Sequence, residues 1–136
     1  MLIAKKKQQE NIAEYILYLF QIEDIVRSFK FNLDDLMEVF VLPNLPDRSF
    51  EGQYRKWYGE IINEMKGAKL DKKGHIDRVM EVFRELVFLH NTLHTMDKES
   101  KYKTLCEAAS GYIPEYRSKS ELKENHDIEV ILHAMY

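Results

Sequence analysis

The chain has 136 residues, 45% hydrophobic and 32% charged, with a formal net charge of -3. That is the size of one domain, able to bury roughly two thirds of its unfolded surface without help from a disulfide or a metal. The acidic balance argues against nucleic acid as the main partner, and the lone cysteine, Cys106, excludes an internal disulfide and fits a reducing compartment.

Lys5, Lys6 and Lys7 are followed by Gln8-Gln9-Glu10-Asn11, not by an apolar run with a cleavage site. The start is therefore read as a solvated terminus, not an export signal, and the expected location is cytoplasmic. The first predicted helix runs from about Ile3 to Phe29. Ile12, Tyr15, Ile16, Leu19, Ile22, Val26 and Phe29 recur at three-and-four spacing, and Leu17, Tyr18, Phe20 and Ile25 widen the stripe. A helix apolar on most sides is buried by several neighbours, so it is predicted to be the central post. Glu14, Gln21, Glu23 and Asp24 exclude a membrane span.

Asn32 is placed to cap a short second helix, with Asp34 and Asp35 in its first turn. Leu33, Leu36, Met37, Phe40 and Val41 give it one apolar face, and Pro43 and Pro46 end it. Asp47 or Ser49 caps a third helix with Phe50, Tyr54, Trp57, Ile61 and Met65 on one stripe; Gly67 is expected to close it. A lysine-rich turn around Leu70 leads to a fourth helix, His75 to Met96, with Ile76, Val79, Met80, Phe83, Leu86, Val87, His90 and Leu93 in line. Met96 to Ser100 reads as a break. A fifth helix carries Tyr102, Leu105, Cys106 and Ala109, and is kinked or interrupted by Gly111 and Pro114 before Tyr112, Ile113 and Tyr116 extend its face. Ser120 is expected to cap a last helix holding Ile128, Ile131, Leu132 and Met135. That helix stops at Tyr136 without a glycine cap or polar tail, so either its end docks firmly or a further C-terminal helix follows. The fold class expected is all-α: one domain over residues 1–136, a bundle of five to six helices packed around the hydrophobic N-terminal helix.

Four residues are candidates for a functional pocket: Glu23, Trp57, His90 and His94. His90 and His94, four apart in HNTLH, share one helix face and could share a metal, with Glu85, Glu23 or His126 as imagined third ligands. No HExxH pattern or inward ExxH pair supports that, so the expectation is no metal and a hydrogen-bonded core histidine at position 90. Glu23 sits inside the most hydrophobic helix, where a buried carboxylate is costly unless paired. It is expected to meet Arg55, Lys56, Arg84 or a tyrosine hydroxyl, with acid–base work as the alternative; Asp24 lies on the solvent stripe. Trp57, with Tyr54 and Tyr58, could form an aromatic platform, though aromatics at this spacing usually pack a core. Cys106 is expected to be a buried, inert thiol. Glu121, Glu124 and Asp127 in ELKENHD do not make the two separated clusters with which helical pyrophosphohydrolases bind magnesium. A glycine-rich phosphate loop, a nucleophile elbow and a zinc knuckle are all missing, so no cofactor is expected.

The segments MLIAKKKQQENIAEYILYLFQIEDIVR, QYRKWYGEIINEM, KKGHI, LHNTL, YIPEYRSKS and DIEVILHAMY resemble blocks of a family of uncharacterised bacterial helical proteins, catalogued only as a domain of unknown function. The resemblance spans essentially the whole chain. It implies an all-α protein, supplies no catalytic residues, and implies a further apolar helix beyond the position of Tyr136. The function expected is therefore a non-enzymatic interaction or assembly module: a homodimer or a partner of an unknown protein, with no nucleic acid and no membrane. The alternative is a small-ligand- or metal-dependent enzyme with a site near Glu23, His90 and His94.

Overall fold

The apolar stripe of the first thirty residues is carried by two helices, α1 (Leu2–Glu10) and α2 (Ile12–Ser28). Asn11 makes the break. Its backbone is extended, and its Oδ1 accepts the N–H groups of Ala13 (3.1 Å) and Glu14 (3.2 Å), capping α2. The computed structural model describes residues 2–96, 101–120, 122 and 125–136, and no strand occurs among them. No helix among them is long and apolar enough to cross a membrane. By Cα packing the chain divides into two compact units, Met1–Met80 and Glu81–Tyr136.

In the first unit, α2 buries Tyr15, Ile16, Leu19, Phe20, Ile22, Glu23 and Val26. Glu14, Gln21, Asp24 and Ser28 form the exposed stripe predicted for them. Phe29 ends α2, and Lys30 and Phe31 both adopt positive φ (53° and 62°). The Phe31 N–H returns to the Val26 carbonyl and that of Lys30 to Arg27, a left-handed cap without glycine. Asn32 then caps α3 (Leu33–Leu36) by accepting from the Asp35 N–H. A π-helical turn (Met37–Val41) and α4 (Leu42–Asn44) follow, widened where Pro43 lacks a donor. Asp47 caps the 3-10 turn Arg48–Phe50 that feeds α5 (Glu51–Gly67). This helix buries Tyr54, Trp57, Tyr58, Ile61, Ile62 and Met65. Gly67 is its last helical residue, not its terminator; Lys69 takes the left-handed position (φ 56°) that closes it.

Helix α6 (Asp77–Met96) starts in the first unit and belongs mostly to the second. It begins at Asp77, not His75, because residues 74–76 are held in another way, described below. The predicted fifth helix is two: α7 (Lys101–Ala109) and α8 (Tyr112–Ser118), parted at Ser110–Gly111. Helix α9 (Asp127–Met135) packs against α8 and is capped by His126, whose Nδ1 accepts the Ile128 N–H. Ser120 is not that cap; its Oγ accepts from the Leu122 N–H. The expected break at 97–100 and the carboxylates Glu121 and Glu124 lie outside the described residues.

The all-α fold class therefore holds, but five to six helices is too few, because the predicted first and fifth helices are each two. The N-terminal helix is also not the hydrophobic post. Ala4 is its one buried residue among those described, and the post is α2.

Candidate functional site

Glu23 is wholly buried, at 0% exposure. Its Oε1 accepts from His75 Nδ1 at 3.0 Å, and its Oε2 accepts the Ile76 N–H at 3.1 Å. Arg27, one turn later on α2, brings a guanidinium nitrogen to 3.9 Å from Oε2. The same guanidinium donates to the Leu70 carbonyl (2.9 Å), to the Gly74 carbonyl and to Asp24. The His75 ring stacks on Phe20, centroids 4.4 Å apart. Gly74 has φ +103°, and a Cβ there would come within 2.7 Å of Leu70 Cδ2, so the loop needs glycine at that point. Glu23 and Arg27 thus hold the loop 70–76 against α2 and fix the entry to α6. Arg55, Lys56, Arg84 and tyrosine, expected as partners of Glu23, are replaced by His75, the Ile76 backbone and Arg27. A loop histidine 52 residues away has no periodicity to reveal it.

Trp57 is buried. Its ring meets Tyr58 edge-on at 5.0 Å and Tyr18 at 6.5 Å. Tyr18, Tyr54 and Tyr58 line a small cavity of about 250 Å³ with Ile22, Phe40 and Val41. Burial, reinforced by Tyr54, pushes the Tyr18 hydroxyl up to about 12. Burial also raises Tyr58, with Tyr18 and Tyr54 adding to it. These phenols stay protonated at any physiological pH and act as hydrogen-bonding core groups.

The second unit gathers a different set. His90 Nδ1 lies 2.6 Å from the Tyr102 hydroxyl and 4.0 Å from Cys106 Sγ. The rings of His94 and His126 stand 5.7 and 5.9 Å from that of His90, centroid to centroid. A cavity of about 350 Å³ opens here, lined by His90, His94, Tyr102 and Cys106, with Ile113 and Ile131 among its apolar lining. Arg117 and Asp127 form an ion pair at its edge, and Arg117 also donates to the Leu122 and Asn125 carbonyls. Burial, then the neighbouring His126 and His94, push His90 below the usual histidine range; Asp127 pulls the other way. Burial and Cys106 raise Tyr102. His90 is therefore a neutral imidazole near pH 7, able to exchange hydrogen bonds with the phenol.

So His90 and His94 do share a face and a cavity. Their polar neighbours are in the second unit, whereas the groups that satisfy Glu23 are in the first. Among the described residues, no group of three or more His, Cys, Asp or Glu side chains is arranged to hold a metal ion. Cys106 is half-buried on a cavity wall, not enclosed as expected. Tyr102 and Cys106 were the missed members. Their i, i+4 spacing, matching that of His90 and His94, was the available signal.

The chain belongs to the family described as Domain of unknown function (DUF4924), which matches residues 1–136. This agrees with the resemblance carried by its N-terminal, central and C-terminal blocks. No curated protein and no solved structure matches it.

Proposed function

We propose that this chain is a non-enzymatic, self-associating helical module, a homodimer in a reducing, cytoplasmic setting, whose contact face lies in residues 81–136. One observation carries the reading: the large apolar side chains left in solvent concentrate in that unit. Phe88 is 73% exposed, Leu89 49% and Leu93 40%, and Leu105, Tyr112 and Met135 are exposed as well. From Leu86 to Met96 the chain carries no Asp, Glu, Lys or Arg. Interface cores are depleted of charge in this way, and solvent-facing helix surfaces are not. An uncharged apolar stripe can pair with its own copy without like-charge repulsion, and two-fold dimers are the commonest homo-oligomers. On α2, Tyr15, Ile16, Leu19, Phe20, Ile22 and Val26 are buried, so the apolar face of that helix is not the one left open.

Sedimentation velocity on the wild type and on the Leu89→Glu, Leu93→Glu double variant tests the reading. The wild type is expected to sediment as a dimer and the variant as a monomer with unchanged helical circular dichroism. A wild type that stays monomeric over a hundredfold range of concentration contradicts it.

A second reading, a small-ligand site at His90 and His94, is favoured by the histidine-lined cavity. Glu23 does not join it in this reading, since its hydrogen bonds fasten the loop before α6.

A further inference from the structure

The cavity beside His90 is lined by two chemically distinct kinds of residue. Four of its lining residues offer hydrogen-bonding groups: His90 and His94 on α6, Tyr102 and Cys106 on α7. Ala109, Ile113, Pro114, Ile128 and Ile131 make the apolar part of the lining. A wider apolar groove of about 450 Å³, with Tyr112, Tyr116 and Met135, adjoins it across Ala109, Ile113 and Ile131, which line both. At about 350 Å³ the first cavity falls at the small end of ligand sites, which run from roughly 300 to 1,000 Å³. Such a pair of spaces suits an elongated molecule with one polar end.

The charge of that end follows from what faces His90. His94 stands on its own helix, Tyr102, Cys106 and Glu107 come from α7, Arg117 from α8, and His126 and Asp127 from the start of α9. Arg117 and Asp127 are paired with each other. A cationic head would meet His90, whose own protonation is disfavoured by burial and by the neighbouring His126 and His94. A phosphate would find no lysine in the lining and an arginine already engaged by a carboxylate and two carbonyls. A single carboxylate instead accepts hydrogen bonds from the imidazole N–H groups and from the phenol.

We propose that this cavity binds a medium-chain monocarboxylate, its head between His90, His94 and Tyr102 and its acyl chain along Ala109, Ile113 and Ile131 into the adjoining groove. No bond is made or broken; binding draws a proton from solvent onto His90. The proposal goes beyond self-association, with which it shares the groove residues Tyr112 and Met135.

Calorimetry with sodium octanoate, with 1-octanol as the uncharged match and acetate as the head alone, tests it. Octanoate is expected to bind at least about tenfold more tightly than either control, and about tenfold more tightly at pH 6 than at pH 8 as one proton is taken up. His94→Gln, on an exposed residue, and Tyr102→Phe, which keeps its ring, are expected to weaken octanoate while helical circular dichroism is unchanged. His90→Gln is expected to abolish the pH dependence. In the wild type, the ring resonances of His90 and His94 are expected to shift on addition of octanoate. Equal binding of octanoate and octanol, binding untouched by His94→Gln, or no resonance shift at millimolar octanoate overturns the proposal. Stoichiometric Zn²⁺ held through His90 and His94, with no octanoate binding, overturns it in favour of a metal site.

Discussion

In residues Met1–Met80, α2 alone buries seven side chains, and a carboxylate among them has its oxygens met by an imidazole, a backbone N–H and a guanidinium. In residues Glu81–Tyr136, α7 and α8 bury none, and four cavity-lining polar groups stand at the edge of open apolar space. The two units spend similar residue types differently. Aromatic and aliphatic side chains at helical spacing become core in the first; in the second, Val82, Phe83, Val130 and Leu132 do so while Phe88, Leu89, Leu93, Leu105 and Tyr112 stay at the surface. What separates them is whether anything else in the chain covers the stripe. Periodicity on one helix cannot report that.

Truncations make the contrast measurable. Ile16→Ala removes a side chain that is 0% exposed and is expected to cost about 2 to 5 kcal/mol in urea melts. Leu105→Ala, at 59% exposed, is expected to stay within about 0.5 kcal/mol in dilute protein. Equal losses would erase the distinction between core and surface.

The Glu23 clasp sharpens it within one helix. Glu23→Ala strands the Ile76 N–H and frees Arg27 and His75 from their shared acceptor, at an expected cost of about 3 kcal/mol. Its neighbour Asp24, exposed and paired across one turn with Arg27, is expected to lose under about 0.5 kcal/mol as Ala. Similar losses from the two would mean that the loop 70–76 is held by something other than Glu23.

Much of this was legible in the sequence. The two faces of α2, the Asn32 cap with its acidic first turn, the α5 stripe and the shared face of His90 and His94 all follow from spacing. What escaped has physical causes. Asn11 reads as one polar residue in a long helix until its φ and ψ make it a cap. Lys30 and Lys69 take left-handed positions usually given to glycine, so the helix ends they make carry no compositional mark. His75 looks like the first turn of α6, yet its ring is occupied by Phe20 and Glu23. The meeting of His90 with Tyr102 and His126 requires α7 and the start of α9 to return to α6, which no local pattern records.

The smallest expected effect is on pH dependence. His90 has a folded-state value below its ordinary one, so the folded chain binds fewer protons than the unfolded chain just below about pH 6.5. Stability is therefore expected to fall as pH drops through the unfolded value toward the folded one. The partly exposed site keeps the slope shallow. His90→Gln should flatten that part of the profile in urea melts from pH 7 to pH 5; an unchanged profile would assign the slope elsewhere.

Amide hydrogen exchange at two protein concentrations, one below and one above association, addresses most directly the claim that the first unit is self-sufficient and the second is built to be covered. The account predicts that protection in residues 86–96 and in α7 to α9 rises with concentration while that of α2 and α5 does not change. Protection that is independent of concentration throughout, or that rises in α2 and α5 instead, would contradict it.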